Sequence, residues 1–160
     1  MTRLVWLLVL LPVFLVPTRA SAETVNFCVT LDGAQEVPPV TSFSGGSGTL
    51  AYDTATRMLT LSVFYDMQGT AFAAHIHGPA PPGENAPRVF DLNLPNPFSG
   101  VITDTVGPVE VSEEGDLLNG LWYINVHTNT NEGGEIRGQI ASCPVPVEPT
   151  SWGHVKALYR

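Results

Sequence analysis

Three histidines carry the clearest chemical signal in this sequence. His75 and His77 stand two residues apart, and His127 follows a later apolar segment. Residues i and i+2 of a β-strand point to the same side, so the first two imidazoles can converge on one ion and the third can reach it from a neighbouring strand. This spacing predicts a metal site with His75, His77 and His127 as ligands. His154 lies in the C-terminal tail and is not expected to bind the ion.

The donor set points to copper as the ion. Imidazole ligands suit copper, zinc, iron and nickel, and the affinity order favours copper over zinc. Three histidines without a clear fourth ligand leave an open coordination position, as catalytic sites do. Glu36, Glu132 or Glu135 could instead complete a zinc or iron site. Glu36 is also a candidate for holding a ligand imidazole in orientation through a hydrogen bond.

Arg137 is the candidate for binding a small anion at this site. Gly133 and Gly134 permit a close approach of the backbone, which returns the chain beside the strand of His127 and places Arg137 on it. A guanidinium that points toward the metal would offer positive charge and paired donors. Two alternatives stay open: a surface salt bridge with an acidic neighbour, and pairing with Glu135 on the same strand face.

The elements that must position these residues are β-strands. From Val25 to Ile140, short runs of β-branched and aromatic residues alternate with Gly, Pro, Asn and Asp, without a helical periodicity of useful length. About eight strands at this spacing indicate an all-β sandwich or flattened barrel. The proline-rich segment from Gly78 to Pro87 is predicted to be a loop beside the metal. The predicted strands cover residues 25–31, 48–52, 59–65, 71–77, 88–92, 101–106, 117–119, 120–127 and 134–141.

Residues 1–22 are predicted to be a secretory signal peptide. An apolar run from Leu4 to Val16 follows a basic residue, and Ala20-Ser21-Ala22 forms a cleavage signature. The run is shorter than the roughly 20 apolar residues that a membrane helix needs. The remainder divides into one β domain over residues 23–143 and a proline-rich linker and tail over residues 144–160. The protein is therefore expected to be secreted or periplasmic.

The charge balance is acidic and argues against several classes of partner. The chain carries 7 Lys and Arg residues against 15 Asp and Glu residues. Cleavage of the signal would remove Arg3 and Arg19 and take the net charge from −8 to −10. Nucleic acids and anionic membranes are therefore not expected as partners. A small anionic substrate would need a cation placed locally at the site.

Cys28 and Cys143 are the two cysteines of the chain, and both lie in the predicted mature part. An even count in an exported protein predicts one disulfide, which would tie the first strand to the last. Thiolate ligation of a metal is the alternative, but it needs a reducing compartment and a closer spacing.

Four segments resemble the CHRD domain found in chordin and in bacterial secreted proteins. The resemblance covers nearly the whole predicted mature domain, and the motifs are long and occur in the family's order. It implies no settled chemistry. The segments are Leu31 to Val40, Ala74 to Ala80, Tyr123 to Thr128 and Gly133 to Ile140.

A more distant resemblance links the chain to copper/zinc superoxide dismutases. That family also has a His-x-His strand, a later Val-His strand end and a glycine-containing return to an arginine near the copper, in the same order. The resemblance implies a Greek-key β-barrel in which His75, His77 and His127 bind copper and Arg137 guides the anion. The chain departs from that family because it lacks the histidine that bridges copper to zinc and the zinc-binding loop. It therefore resembles a copper-only version with three histidines.

The leading functional hypothesis is an exported copper protein that dismutates superoxide to dioxygen and hydrogen peroxide. The three histidines would hold the ion, Arg137 would attract and orient superoxide, and protons would come from water. One alternative is a copper-binding module without turnover, used for buffering or delivery. Another is a structural extracellular domain that binds partners, because a fold does not fix a function.

Overall fold

The computed structural model describes residues 22–144, which form an antiparallel β-fold. A short 3-10 turn at Gly33–Gln35 follows the first strand, and a short helix, α1, spans Glu114–Leu118. The nine strands are β1 Thr24–Asp32, β2 Gly45–Asp53, β3 Met58–Asp66, β4 Ala71–His77, β5 Arg88–Leu92, β6 Ser99–Val106, β7 Tyr123–Thr128, β8 Ile136–Gln139 and β9 Ala141–Ser142.

Residues 1–21 and 145–160 lie outside the described part of the chain. Nearly all of the predicted signal peptide and tail, together with His154, falls there, so these assignments stay predictions. No helix among residues 22–144 is long and apolar enough to span a membrane.

The strands form one sheet that curves into a nearly closed barrel. Their order across the sheet is β5-β4-β7-β8-β1-β2-β3-β6, and β9 pairs with β1. The two edge strands approach each other, since the backbone N–H of Asn93, just after β5, donates to Asp104 on β6 at 3.0 Å. The connections from β3 to β4 and from β6 to β7 lead to strands that are not neighbours, which is Greek-key connectivity. The all-β fold predicted from the strand pattern is confirmed.

Alternating residues of the strands fill the core. On β3, Leu59, Leu61, Val63 and Tyr65 point inward and are buried, while the residues between them are exposed. This period of two is expected of a strand with one solvated face, and burial of each apolar side chain contributes about 2 kcal/mol. Strand β7 differs because all six of its residues are buried. Its outer face is covered by loops, and the candidate site lies there.

The segment before β7 forms a helix where the sequence pattern predicts a strand over residues 117–119. Helix α1 ends at Leu118, and the N–H of Leu117 donates to the carbonyl of Glu113 at 3.1 Å. Acidic residues in the first turn suit the helix dipole, and only Leu117 of the helix is buried. With one buried residue, the segment lacks the alternation of buried and exposed side chains that stabilises a strand. The strand predicted over residues 117–119 is therefore wrong. Gly120 follows with φ +72° and turns the chain toward β7.

The predicted disulfide between Cys28 and Cys143 is confirmed. Ala141 on β9 pairs with Cys28 on β1, so the last strand is held both by backbone hydrogen bonds and by the covalent link. The bridge joins residues 115 positions apart and closes almost the whole described domain into one loop.

Removal of the bridge is expected to destabilise the fold. In the double variant Cys28→Ser/Cys143→Ser the free energy of unfolding should fall by about 4 kcal/mol, because a long covalent loop restricts the unfolded chain. Urea denaturation of the variant and of the wild type measures the difference. An unchanged midpoint would show that the bridge adds nothing to the pairing of β1 with β9.

Candidate metal centre

The three predicted ligands meet on the outer face of the barrel. His75 and His77 flank the core residue Ile76 on β4, so both rings leave the same side of the sheet. Strand β7 pairs with β4, and His127 lies there opposite Ala73. One ligand atom from each imidazole lies within 4.8 Å of the others. The centroid of the His75 ring lies 4.8 Å from that of His127 and 5.6 Å from that of His77.

Two backbone carbonyls fix the orientation of two of the rings. Nδ1 of His77 lies 3.0 Å from the carbonyl oxygen of Ala86, and Nδ1 of His127 lies 2.9 Å from that of Glu132. A carbonyl can only accept, so each Nδ1 carries the proton and each Nε2 keeps its lone pair. Nε2 of His77 is buried and has no hydrogen-bond partner. A buried polar atom without a partner is costly, and a metal ion would satisfy it.

His75 points its Nδ1, rather than its Nε2, toward the other imidazoles. Its Nδ1 lies 3.0 Å from Nε2 of His127, and its Nε2 lies 3.4 Å from Oδ1 of Asp91. An ion bound to the Nε2 atoms of the other rings would meet His75 at Nδ1, and the Nε2–H would then face the Asp91 carboxylate. Nδ1 of His75 and Nε2 of His127 lie 3.0 Å apart, a separation that two metal–nitrogen bonds of about 2.0 Å can span, and the three ligand atoms all lie within 4.8 Å of one another. The residues therefore fit a metal ion through one Nδ1 and two Nε2 donors.

Burial keeps the imidazoles of β4 neutral. Desolvation, assisted by repulsion from the two other histidines, lowers the pKa of His75 to about 4. Desolvation is also the main cause that lowers the pKa of His77. Neutral imidazole is the form that binds a metal, so protons compete for His75 only near pH 4 and below.

Arg137 lies beside the cluster and holds the loop that covers it. This loop, residues 78–87, carries the Ala86 carbonyl, and Arg137 donates to two further loop carbonyls, those of Glu84 at 2.7 Å and Pro81 at 3.5 Å. The arginine side chain is only 1% exposed. One guanidinium with several carbonyl partners cross-links the loop to β8.

Tyr123 lies between Arg137 and His77. Strand β7 runs between β4 and β8, and Cζ of Arg137 lies 3.5 Å from the centroid of the Tyr123 ring. The His77 ring stacks on Tyr123 with centroids 5.1 Å apart and an interplanar angle of 10°. The tyrosine hydroxyl accepts a hydrogen bond from the N–H of Ala86 at 3.0 Å. Tyr123 therefore connects the arginine, the loop and a ligand ring.

The position of Arg137 excludes both alternatives that the sequence left open. A surface salt bridge is wrong, because the side chain is buried and none of the ion pairs among residues 22–144 includes it. Pairing with Glu135 is also wrong, since that carboxylate accepts hydrogen bonds from hydroxyl groups instead. These belong to Ser42, Ser44 and Thr128. The prediction that Arg137 orients an anion stays a prediction.

Glu36 lies under the loops on the same face of the sheet but hydrogen-bonds to no imidazole. It is 4% exposed, and its Oε2 accepts from Nδ2 of Asn125 at 3.4 Å. The hydrogen bond predicted from Glu36 to a ligand ring is therefore replaced by one to Asn125. Gly134 adopts φ +133°, and a Cβ there would collide with both of these side chains. This confirms the close backbone approach predicted for the paired glycines.

No carboxylate among residues 22–144 completes the metal-binding group, which contains the three histidines alone. Glu132 is exposed and contributes its backbone carbonyl, and Glu36 and Glu135 bind other polar side chains. The zinc or iron site with a glutamate ligand is therefore not the arrangement that forms here.

Glu36 is expected to make stability depend on pH. Burial raises its pKa to about 7, against the smaller opposing effects of Arg137 and Asn125. The ordinary value is 4.5, so the folded state holds this proton more tightly, and the contribution of Glu36 to stability falls as pH rises from about 4.5 through 7. Glu36→Gln should flatten this dependence and raise the free energy of unfolding at pH 8 by about 3 kcal/mol.

Urea denaturation at several pH values between 5 and 8 checks this expectation. The exposed Glu132→Gln provides a control that removes the same charge from the same face. An equal pH dependence in wild type and Glu36→Gln would contradict the expectation.

Several contacts of the site have no direct signal in the sequence. Tyr123 could be placed on the strand, but its contacts with Arg137 and His77 depend on which strands lie beside it. Arg88 and Asp91 were also missed. The sequence does contain a signal for both residues. The strand that follows the covering loop pairs antiparallel with the His-x-His strand, and this pairing brings its charged residues next to the rings.

One protein-family model matches the chain. It describes the CHRD domain and covers residues 27–140, a range that includes the three histidines, Arg137 and Glu36. No curated protein and no solved structure matches the chain. The match covers more than half of the 160 residues. The chain therefore belongs to the CHRD domain family.

Proposed function

We propose that this protein is an exported copper-binding protein that dismutates superoxide to dioxygen and hydrogen peroxide. One observation carries the proposal: three imidazoles converge, and the buried Nε2 of His77 has no other partner. The carbonyls behind His77 and His127 orient the rings toward a common point. Such outer contacts raise the basicity of metal ligands and are typical of metal sites.

Copper fits the donors better than zinc does. Imidazole nitrogen suits both ions, but the affinity order favours copper, and structural zinc sites usually have four protein ligands. No carboxylate or thiolate of residues 22–144 joins the cluster, and both cysteines belong to the disulfide. Three nitrogen ligands leave space at the ion for a small molecule.

Bound copper would supply one-electron chemistry: one superoxide gives up an electron and leaves as dioxygen, and a second takes up an electron with two protons and leaves as hydrogen peroxide. The chain's own residues keep the two rings of β4 neutral and orient those of His77 and His127. Protons come from solvent, which reaches the site because the His75 side chain is 16% exposed. Arg137 is predicted to orient the anion, and its hydrogen bonds to the loop support a second role in positioning His77.

A second candidate function is copper binding without turnover. The contacts of Arg137 favour it, because a guanidinium that is bound to loop carbonyls and Gln139 has fewer donors left for an anion. Such a protein would buffer or deliver copper outside the cytoplasm. The disulfide supports an oxidising location for either candidate.

Copper content and superoxide turnover of the purified mature protein test the proposal. After copper loading and removal of excess metal, we expect one copper per chain with nitrogen ligands in the Cu(II) EPR spectrum. The loaded protein should remove superoxide from pulse radiolysis far faster than the metal-free protein. Stoichiometric copper without turnover would favour the second candidate. A protein that retains no copper would overturn both and favour a structural, partner-binding domain.

A further inference from the structure

Superoxide and other small anions must approach a protein that is itself acidic, with 15 acidic against 7 basic residues. Three arginines are the only cationic side chains among residues 22–144: Arg57, Arg88 and Arg137. Arg57 lies in the turn between β2 and β3, and Arg137 is buried. The side chain of Arg88 is 56% exposed. Of these three cations, Arg88 is therefore the one that can contact an anion on its way to the metal centre.

Arg88 stands at the rim of the histidine cluster. It opens β5 and pairs there with His77, and Asp91 of the same strand pairs with His75. Nη1 of Arg88 lies 2.9 Å from Oδ1 of Asp91, and the same oxygen lies 3.4 Å from Nε2 of His75. The carboxylate thus holds the guanidinium beside the metal-binding face. The ion pair involves one nitrogen of Arg88, and the other donors of the guanidinium can meet an anion.

The charge of Arg88 acts on both ligand rings of β4. Arg88 pairs with His77 across β4 and β5, and its ion pair with Asp91 brings it close to His75 as well. Arg137, in contrast, is separated from His77 by the Tyr123 ring. Without Arg88, the carboxylate of Asp91 would stand uncompensated next to His75 and repel an anion.

We propose that Arg88 attracts small anions to the copper site and that Asp91 positions its guanidinium. The inference rests on the proposed function, because superoxide is the anion that Arg88 would serve. Electrostatic attraction of this kind raises the rate of encounter and the affinity for anions, and salt weakens it.

Azide is the probe, because it is a stable anion of the same charge as superoxide and its binding to Cu(II) is visible by absorption. In Arg88→Gln we expect azide affinity and the rate constant for superoxide each to fall about threefold at low ionic strength, with a smaller difference at high salt. Arg88→Lys keeps the charge and should keep most of both values. Arg57→Gln removes the same charge in the turn between β2 and β3 and should change neither.

Equal azide affinities in wild type and Arg88→Gln would overturn the inference. An equal loss in Arg57→Gln would overturn it too, since net charge would then explain the effect, and so would an equal loss in Arg88→Lys. Copper content is measured first in every variant. A wild type that binds no copper overturns the proposed function, whereas a copper-bound wild type whose azide affinity does not depend on Arg88 overturns only this inference.

Discussion

Replacement of His77 with alanine is expected to weaken copper binding by more than about 100-fold and to abolish superoxide dismutation. Nε2 of His77 is buried without a hydrogen-bond partner, so no other group competes with the ion for this nitrogen. Loss of a ligand should exceed the roughly 10–100-fold effect that is typical for residues behind a ligand. His127→Ala should act in the same way. Competition with a Cu(II) chelator measures the affinity.

His154→Ala is the matched control for this experiment, because it removes an imidazole that the sequence places in the tail and outside the predicted site. It should bind copper as the wild type does. Copper affinity that survives in both His77→Ala and His127→Ala would contradict the proposed site and place the copper elsewhere on the chain.

Replacement of Arg137 with alanine is expected to lower the free energy of unfolding of the metal-free protein by about 3 kcal/mol. The variant loses the contact with Tyr123 and the hydrogen bonds to the carbonyls of Glu84 and Pro81, and it leaves a cavity where the buried arginine side chain packed. Copper affinity should fall about tenfold as well, because the same loop carries the Ala86 carbonyl that orients His77. Urea denaturation and chelator competition measure the two effects.

Arg88→Ala is the control for stability, since it removes an exposed arginine and should change the free energy of unfolding by less than about 0.5 kcal/mol. A different result would assign Arg137 another role. If Arg137→Ala leaves stability and copper affinity unchanged but reduces the rate with superoxide and its salt dependence, Arg137 guides the anion rather than positioning the loop.

Local patterns were sufficient to predict the all-β fold and the strands of the candidate site. The alternation around Ile76 places His75 and His77 on one side of β4, and this follows from two-residue periodicity alone. The even cysteine count predicted the bridge between Cys28 and Cys143. The first inference depends on strand geometry over a few residues, and the second depends on the fact that two cysteines allow only one pairing.

Features that depend on tertiary contacts were not predictable in the same way. The acidic segment before Leu117 forms a helix whose backbone hydrogen bonds are local and whose one buried residue is Leu117, and the short apolar run alone did not distinguish this from a strand. Arg137 could be assigned to a strand face, but its burial depends on a loop that folds over that face. The contact of Asp91 with His75 depends on the register between β4 and β5.

The two carbonyl groups that orient His77 and His127 belong to the main chain, and any amino acid supplies the same group. Side chains at positions 86 and 132 can therefore diverge among homologues without a direct loss of these hydrogen bonds. Insertions or deletions in the segments 78–87 and 128–135 would instead shift the carbonyls away from the rings. Conserved spacing between His77 and β5, and between His127 and β8, is then a better marker of this centre in distant homologues than residue identity in these loops.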